Sequence, residues 1–298
     1  MRELDFFEKY DQPVVIALGF FDSLHKGHIS LISRALSVAG EINATPCVFT
    51  YKNDLASLLN RDEGVVYTYR ERLKNLEKLK INTVISTVFT KEFSLFSYQD
   101  FLCMLFNNFN VLALVCGEDF KFGKGGLGDV ETLDDFCKSQ GAKLFVESEI
   151  RHDGKKISTR DIKTLLKRGE IEKANQLLGF RYQVSGEVVR DRQVGRRLGF
   201  PTANVCVDPE KLKIKCGVYK THVEIDGITY SAITNYGARP TYNLNEILTE
   251  THILGFNGNL YEKQITVNFD KYLRDCVKFE SENELKLQLK KDMESIND

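Results

Sequence analysis

The stretch "PVVIALGFFDSLHKGHISLISRALSVAG", residues 13–40, decides how the first half of the chain is read. Its first six residues are an apolar run of the kind found in a strand buried on both faces. From residue 28 to 39 the leucines and isoleucines recur every three or four positions, the period of an amphipathic helix. Between strand and helix lie Gly19, Phe20 and Asp22, then two of the chain's five histidines, His25 and His28, flanking Gly27. A strand, a short loop and a helix in that order gather free backbone N–H groups and the positive end of the helix dipole at one point, which suits an anion. Gly19 and Gly27 lack Cβ atoms and let a phosphate near the backbone, while the two imidazoles offer its oxygens hydrogen bonds or positive charge.

Outward from this stretch the pattern repeats. "ATPCVF" (44–49), "NTVISTVF" (82–89), "NVLALVCG" (110–117) and "AKLFVE" (142–147) are short apolar runs separated by helical periods at 69–80, 97–108 and 131–140. Such alternation predicts a Rossmann-like domain, a parallel sheet covered by helices on both faces. Residues 157–179 read as two short helices broken near Gly169, a linker taken with the first domain, 1–180. Over 181–298 the strands tend to alternate polar with apolar residues, with turn signals at "DG" (226–227) and "NGN" (257–259), as in an antiparallel barrel or sandwich. A final helix is expected over 281–296, capped by Ser281 and Glu284, with Leu285, Leu289, Met293 and Ile296 on one face.

Bulk properties narrow the classes. A chain of 298 residues exceeds what one core usually organises, in keeping with two domains. With 41 Lys plus Arg against 42 Asp plus Glu, no long-range field gathers polyanions, and a general nucleic-acid binder is excluded. No run approaches the roughly 18 apolar residues of a membrane span, and the first residues carry acids, so a cytoplasmic protein without a membrane partner is expected. The seven cysteines are odd in number and form no C-x-x-C. Most sit in apolar runs such as "TPCVF" and "ALVCG", which predicts small buried hydrophobes in a reducing compartment.

"GFFDSLHKGH" (19–28) resembles the H-x-G-H signature of the nucleotidyltransferase superfamily, and more narrowly the G-x-F-D-x-x-H-x-G-H of the adenylyltransferase module in bacterial bifunctional riboflavin kinase/FAD synthetases. "CGEDFKFGKGGLGD" (116–129) resembles that module's G-x-D-F-x-F-G-K-x-x-x-G-D loop, and "FTKEF" (89–93) a further piece of it. The resemblance implies that a flavin phosphate attacks the α-phosphorus of ATP and pyrophosphate leaves. It assigns catalysis to His25 and His28, ATP phosphates to Gly19, Phe20, Asp22 and Gly27, and flavin to Asp119 and Phe122. The protein's share is positioning and charge neutralisation. The superfamily's closing I-S-S-T-x-I-R stands here as "ISTRDIK" (157–163). Ser158, Thr159, Arg160 and Lys163 carry its phosphate-binding role, Lys163 without the guanidinium fork. "FTYKNDL" (49–55) replaces the F-D-P-H-P that usually walls the nucleotide or flavin pocket. "GKGGLG" (123–128) satisfies G-x-G-x-x-G, but it begins six residues after the strand-closing Gly117, which argues against a dinucleotide-binding dehydrogenase.

"GEVVRDRQVGRRLGFPTANV" (186–205) resembles the riboflavin kinase signature G-R-x-L-G-F-P-T-A-N. Pro201 fixes the local backbone, and Thr202 and Asn204, two apart in an extended segment, face the same way. They offer two hard oxygen ligands, which suits Mg²⁺. "TNYGARPTY" (234–242), "ETHILGFNGNLY" (250–261) and "YLRD" (272–275) resemble further kinase blocks, with Gly255 and Asn259 in place of two family aspartates. The resemblance implies a Greek-key barrel in which Gly199, Pro201, Thr202 and Asn204 bind ATP and its metal, and Arg239 and Arg274 approach the flavin. Glu250 is then the general base for the riboflavin 5′-hydroxyl. The whole chain is expected to convert riboflavin to FMN and FMN to FAD, with ATP as co-substrate. The departures at 49–55 and 157–163 motivate an alternative, a kinase whose first domain binds flavin or a partner without catalysis. A cytidylyl or pantetheine transferase is disfavoured by the flavin-type barrel motifs.

Overall fold

The computed structural model describes residues 1–55, 63–190, 199–238 and 247–294, which divide into two compact units, Met1–Thr159 and Arg160–Asp298. In the first, β1 (Arg2–Asp5), β2 (Tyr10–Leu18), β3 (Thr45–Tyr51), β4 (Thr83–Thr87), β5 (Phe109–Gly117) and β6 (Lys143–Glu147) form one sheet in the order β1-β4-β3-β2-β5-β6. Every pairing in it is parallel. Each of the five expected strands is present, and the stretch Val14–Ala17 of β2 is fully buried, as burial on both faces requires. The sixth, β1, was invisible to pattern reading because "RELD" has no apolar run; it pairs at the sheet edge with β4, Arg2 opposite Thr83.

Four helices, α1 (Lys26–Glu41), α2 (Tyr69–Lys78), α3 (Tyr98–Asn108) and α4 (Val130–Ser139), connect these strands. Three begin with reciprocal capping boxes, Thr68 with Glu71, Ser97 with Asp100 and Asp129 with Thr132. Helix α1 has no such residue and is capped by His25 instead. In the sheet, β2 lies between β3 and β5, so the chain leaves β2 in one direction and later returns on its other side. The carboxyl ends of β2 and β5 therefore frame the crevice where ligands bind in doubly wound sheets. A two-stranded ribbon, β7 (Arg151–His152) with β8 (Lys155–Lys156), follows β6.

The units part after the first residue of α5 (Thr159–Lys167); α6 (Ile171–Leu177) follows, separated from it at Gly169, whose φ of 78° only glycine adopts freely. The sequence reading ended the first domain at residue 180; the compact units instead part at Thr159/Arg160, and the helix pair goes with the barrel. The reason is specific contacts: Asn175 donates to Phe269 O at 2.8 Å and accepts from Tyr182 N at 2.9 Å, and Lys215 N donates to Leu166 O.

The remaining strands are β9 (Gln183–Val189), β10 (Thr202–Cys206), β11 (Gly217–Ile225), β12 (Ile228–Ala238), β13 (Ile247–Ile253) and β14 (Gln264–Arg274). They close a barrel in the order β10-β13-β12-β11-β14-β9. Strands β11, β12 and β13 meander, and β14 returns to lie beside β11, which is the Greek-key order. The β11–β12 hairpin turns at Asp226 and Gly227, both at positive φ, as a type I′ turn demands. Tyr182, Tyr219, Tyr236 and Phe269 fill the interior, and Thr221, Thr234 and Thr251 satisfy one another there at 2.8 and 2.9 Å. Helix α7 (Glu282–Glu294) starts as expected, Ser281 Oγ accepting from Glu284 N, and Met293 packs against Val218 and Ile233. Residue Ile296 and the side chain of Leu285 lie outside the described residues.

The cysteine expectation needs correcting. Only Cys47, Cys116 and Cys137 are buried; Cys103, Cys206, Cys216 and Cys276 are exposed, and all seven are free. Cys103 lies on the exposed side of α3, and the other three sit at or beyond strand ends, where an apolar neighbour in sequence does not mean a covered side chain.

Candidate active sites

A cavity of about 560 Å³ opens at the carboxyl ends of β2 and β5. His25 and His28 both line it. His25 has an extended backbone and caps α1 through its ring: Nδ1 accepts from His28 N at 3.2 Å. Gly27 gives the ring room, since a Cβ there would stand 3.0 Å from His25 Cε1 and the imidazole would have to shift by a few tenths of an ångström. The two imidazoles stack with centroids 3.7 Å apart and planes 11° from parallel. Burial pushes the His25 pKa down to about 4, with Lys156 adding to the drop, and pushes His28 well below its ordinary value, with His25 and Arg72 adding to that. Both rings are therefore neutral near pH 7. Because Nδ1 of His25 is an acceptor, its proton resides on Nε2, which leaves a neutral N–H donor for a phosphate oxygen. Of the two roles open to the pair on sequence grounds, donation fits and positive charge does not.

The loop between β2 and α1 is held under strain. Phe21 and Leu24 are fully buried at φ 55° and 41°, values that cost energy for residues with a Cβ. What holds it is Arg72, a buried residue of α2 that pattern reading missed. Its guanidinium donates to Phe20 O at 2.8 Å, Thr50 Oγ1 at 2.6 Å and Tyr51 O at 2.7 Å, and lies over the Phe20 ring. An arginine within "YRERLKNLEK" looks like any solvated helix face, so no single-sequence signal marks it.

Gly19, Phe20, Gly27, Asp119, Phe122, Ser158 and Thr159 line the cavity with the histidines. Asp22 does not: its carboxylate is 2% exposed and accepts from Val66 N at 2.7 Å, so it organises the 65–67 segment, and a carboxylate facing ATP phosphates would repel them. Asp119 pairs with Lys156 Nζ, which also meets Glu149. Phe120 stacks on Phe122 at 5.5 Å and 17°. The "FTYKNDL" segment, despite its departure from the family pattern, supplies Phe49, Tyr51 and Leu55 to the wall. Gly128, beneath the aromatic loop, exchanges two backbone hydrogen bonds with Phe122. Arg160 and Lys163 fall in the second unit, on α5, Arg160 exposed and Lys163 buried.

A second cavity, of about 770 Å³, lies in the barrel unit and is lined by Pro201, Thr202, Asn204 and the 256–261 loop among others. The barrel register places the candidate groups in one row. Thr202 is opposite His252 and Asn204 opposite Glu250 across β10–β13, and Glu250 is opposite Asn235 across β13–β12. Directly opposed residues of an antiparallel pair project from the same face, here the one away from Ala203, Thr249 and Thr251. Asn204 is buried, and its Oδ1 has no hydrogen-bond partner although it borders the cavity. A lone buried carbonyl oxygen with a hydroxyl two residues away fits a hard cation such as Mg²⁺. Among the described residues no group of three or more His, Cys, Asp and Glu is arranged for a metal, in keeping with so sparse a ligand set. Gly199, at φ 86°, precedes the row. Arg274 is engaged by α7: Nε and Nη2 clasp the Asp292 carboxylate at 2.9 and 2.7 Å. Arg239 lies outside the described residues.

Fold and sites together define a two-unit transferase, a nucleotidyltransferase-type sheet with an imidazole pair at its switch point, followed by a Greek-key barrel with a hydroxyl, amide and carboxylate row. Residues 7–161 match the FAD synthetase family model and residues 178–298 that of riboflavin kinase. The chain is 32% identical to the bifunctional riboflavin kinase/FMN adenylyltransferase of Bacillus subtilis (strain 168), over 93% of this chain and 90% of that one. Proteins of the same name from Buchnera aphidicola and Escherichia coli K12 are 28% and 29% identical, covering 99% and 93% of this chain and 97% and 90% of their own. The chain belongs to the bifunctional riboflavin kinase/FMN adenylyltransferase family. Both domain types are present, which favours two activities over the kinase alone. A crystal structure of a macrolide-efflux protein from Streptococcus pneumoniae superposes with a TM-score of 0.87 at 25% identity, over 99% of this chain and 98% of that one. Among the described residues no helix is long and apolar enough to cross a membrane.

Proposed function

We propose that the barrel unit phosphorylates riboflavin to FMN with Mg·ATP and that the sheet unit adenylylates FMN to FAD with release of pyrophosphate. The observation that carries this is the presence, in two separate units, of two cavities whose linings each hold a matched motif. In the barrel, the Glu250 carboxylate accepts the 5′-hydroxyl proton as that oxygen attacks the γ-phosphate. Thr202 Oγ1 and Asn204 Oδ1 are the atoms that would hold Mg²⁺, which when bound neutralises charge on the ATP phosphates. Pro201 keeps that segment extended, and Gly199 supplies the turn into it. Arg274, held by Asp292, keeps the end of β14 in place for the flavin.

In the sheet unit the neutral His25 and His28 rings and the α1 backbone amides grip ATP phosphates and stabilise charge on the α-phosphoryl group in flight. The flavin ring stacks on the wall formed by Phe120, Phe122 and Tyr51. Ser158 and Thr159 complete the phosphate contacts. A cytosolic setting agrees with seven free thiols and with these substrates.

One incubation tests the proposal: purified protein with riboflavin, ATP and Mg²⁺, followed by chromatographic separation of riboflavin, FMN and FAD. Both FMN and FAD are expected. FMN alone would select the kinase-only reading, and no turnover would reject both.

A further inference from the structure

Two thiols outside the proposed ligand contacts face each other at one end of the barrel. Cys216 immediately precedes β11 and Cys276 closely follows β14, and both are exposed. Val218 is opposite Arg274 at the end of the β11–β14 ladder, so the antiparallel register carried two residues further sets Cys216 opposite Cys276. Their sulfurs bear this out. The point a Cβ would occupy on Gly237 of β12 lies 4.0 Å from Cys216 Sγ and 3.9 Å from Cys276 Sγ, and glycine puts no side chain against the pair. Opposed antiparallel residues have Cα atoms about 4.5–5.5 Å apart, inside the range of about 4.4–6.8 Å that a disulfide spans.

Cys276 is also tied to the kinase row. Its thiol donates to Asn235 Oδ1 at 3.3 Å, and Asn235 is the residue opposite Glu250, itself opposite Asn204. Burial, with Cys216 and nearby carboxylates adding, holds the Cys276 thiol above its usual pKa. Cys216 is accordingly assigned the first encounter with an oxidant, and Cys276 the resolving step.

We propose that Cys216 and Cys276 form a reversible disulfide that slows the kinase unit under oxidation. Its effect on rate rests on the reading of Glu250 given above; the disulfide itself does not. With hydrogen peroxide as oxidant, the Cys216 thiolate attacks one peroxide oxygen and the O–O bond breaks. This leaves a sulfenic acid, and the departing hydroxide takes up the thiol proton as water. The Cys276 thiolate then attacks that sulfur, the S–O bond breaks, and the second hydroxide leaves with the second proton as water. Two electrons pass from sulfur to peroxide, and a small dithiol reverses the exchange. Closing the bond removes the donor to Asn235 Oδ1, so that amide loses its anchor beside Glu250.

The test treats the full chain with hydrogen peroxide, alkylates the remaining thiols, and maps unreduced peptides by mass spectrometry while assaying both reactions. The expected result is a linked peptide pair carrying Cys216 and Cys276 that dithiothreitol releases. Riboflavin phosphorylation should fall by about tenfold, the scale set by displacing a reacting group by under about 1 Å, and recover with the dithiol. FMN adenylylation in the same sample should hold. Cys216→Ser, an exposed change that leaves Cys276 as donor to Asn235, should protect the rate, whereas Cys276→Ala, which removes that donor, should slow phosphorylation before any peroxide is added and form no linked pair. Absence of the linked pair, or an equal slowing in Cys216→Ser, overturns the proposal. No phosphorylation before oxidant overturns the kinase reading instead, and the linked peptide still decides the disulfide.

Discussion

The two candidate sites are built from opposite materials. In the sheet unit the key groups come from one continuous loop, residues 19–28, locked by strained backbone and the Arg72 guanidinium. In the barrel they come from separate strands, and only register joins Asn204 to Glu250. The first site presents neutral rings and backbone amides; the second presents hard oxygens and a carboxylate. The contrast matches the two chemistries. An α-phosphoryl transfer to a phosphate nucleophile needs charge stabilised and no proton removed, whereas a hydroxyl nucleophile needs a base.

Substitutions that break one site and spare the other probe this contrast most directly. Glu250→Gln should lower riboflavin phosphorylation by about a thousandfold, the scale of a lost general base, while adenylylation of supplied FMN continues; steady-state assays of each step check it. His28→Ala should reverse the pattern, cutting FAD formation by about a hundredfold, as when one preorganised donor is lost. Equal loss of both activities in either variant would contradict a division between units.

Acid stability sharpens the comparison because only the sheet unit buries an imidazole pair. The folded pKa of His25 is about 4 against 6.5 for the free side chain, so between these values the unfolded state binds the proton and the folded state does not. Stability is full above pH 6.5 and falls as pH drops towards 4, by about 3 kcal/mol from this group. His25→Asn keeps a capping side chain and removes the titration. Thermal midpoints measured across that window should fall less steeply in the variant. The smallest effect concerns the aromatic loop. A Cβ on Gly128 would lie 2.7 Å from Tyr98 Cβ and 2.8 Å from Phe122 Cζ, so Gly128→Ala should cost about 2 kcal/mol of overpacking. Denaturant unfolding would detect it, with riboflavin phosphorylation unchanged.

Much of the fold was open to inspection in the chain itself. Apolar runs and helical periods are local properties, and they located five strands and four helices of the sheet unit, as alternation and the Asp226–Gly227 turn located the barrel hairpins. The edge strand β1 escaped because water covers one side of it and no apolar signal is needed there.

The site was half legible. The residue types and spacing of His25, Gly27 and His28, and of Thr202 and Asn204, pointed to phosphate and metal chemistry from sequence alone. Asp22 lies outside the cavity lining and anchors a loop, and of the two roles the sequence left open to the histidines, burial favours neutral donation over positive charge. Arg72 and the row Asn204–Glu250–Asn235 emerged only in three dimensions. The physical reason is one of range. Periodicity and capping depend on residues a few positions apart, whereas desolvation and strand register depend on what distant segments bring alongside, and those decide a proton's place and a base's partner.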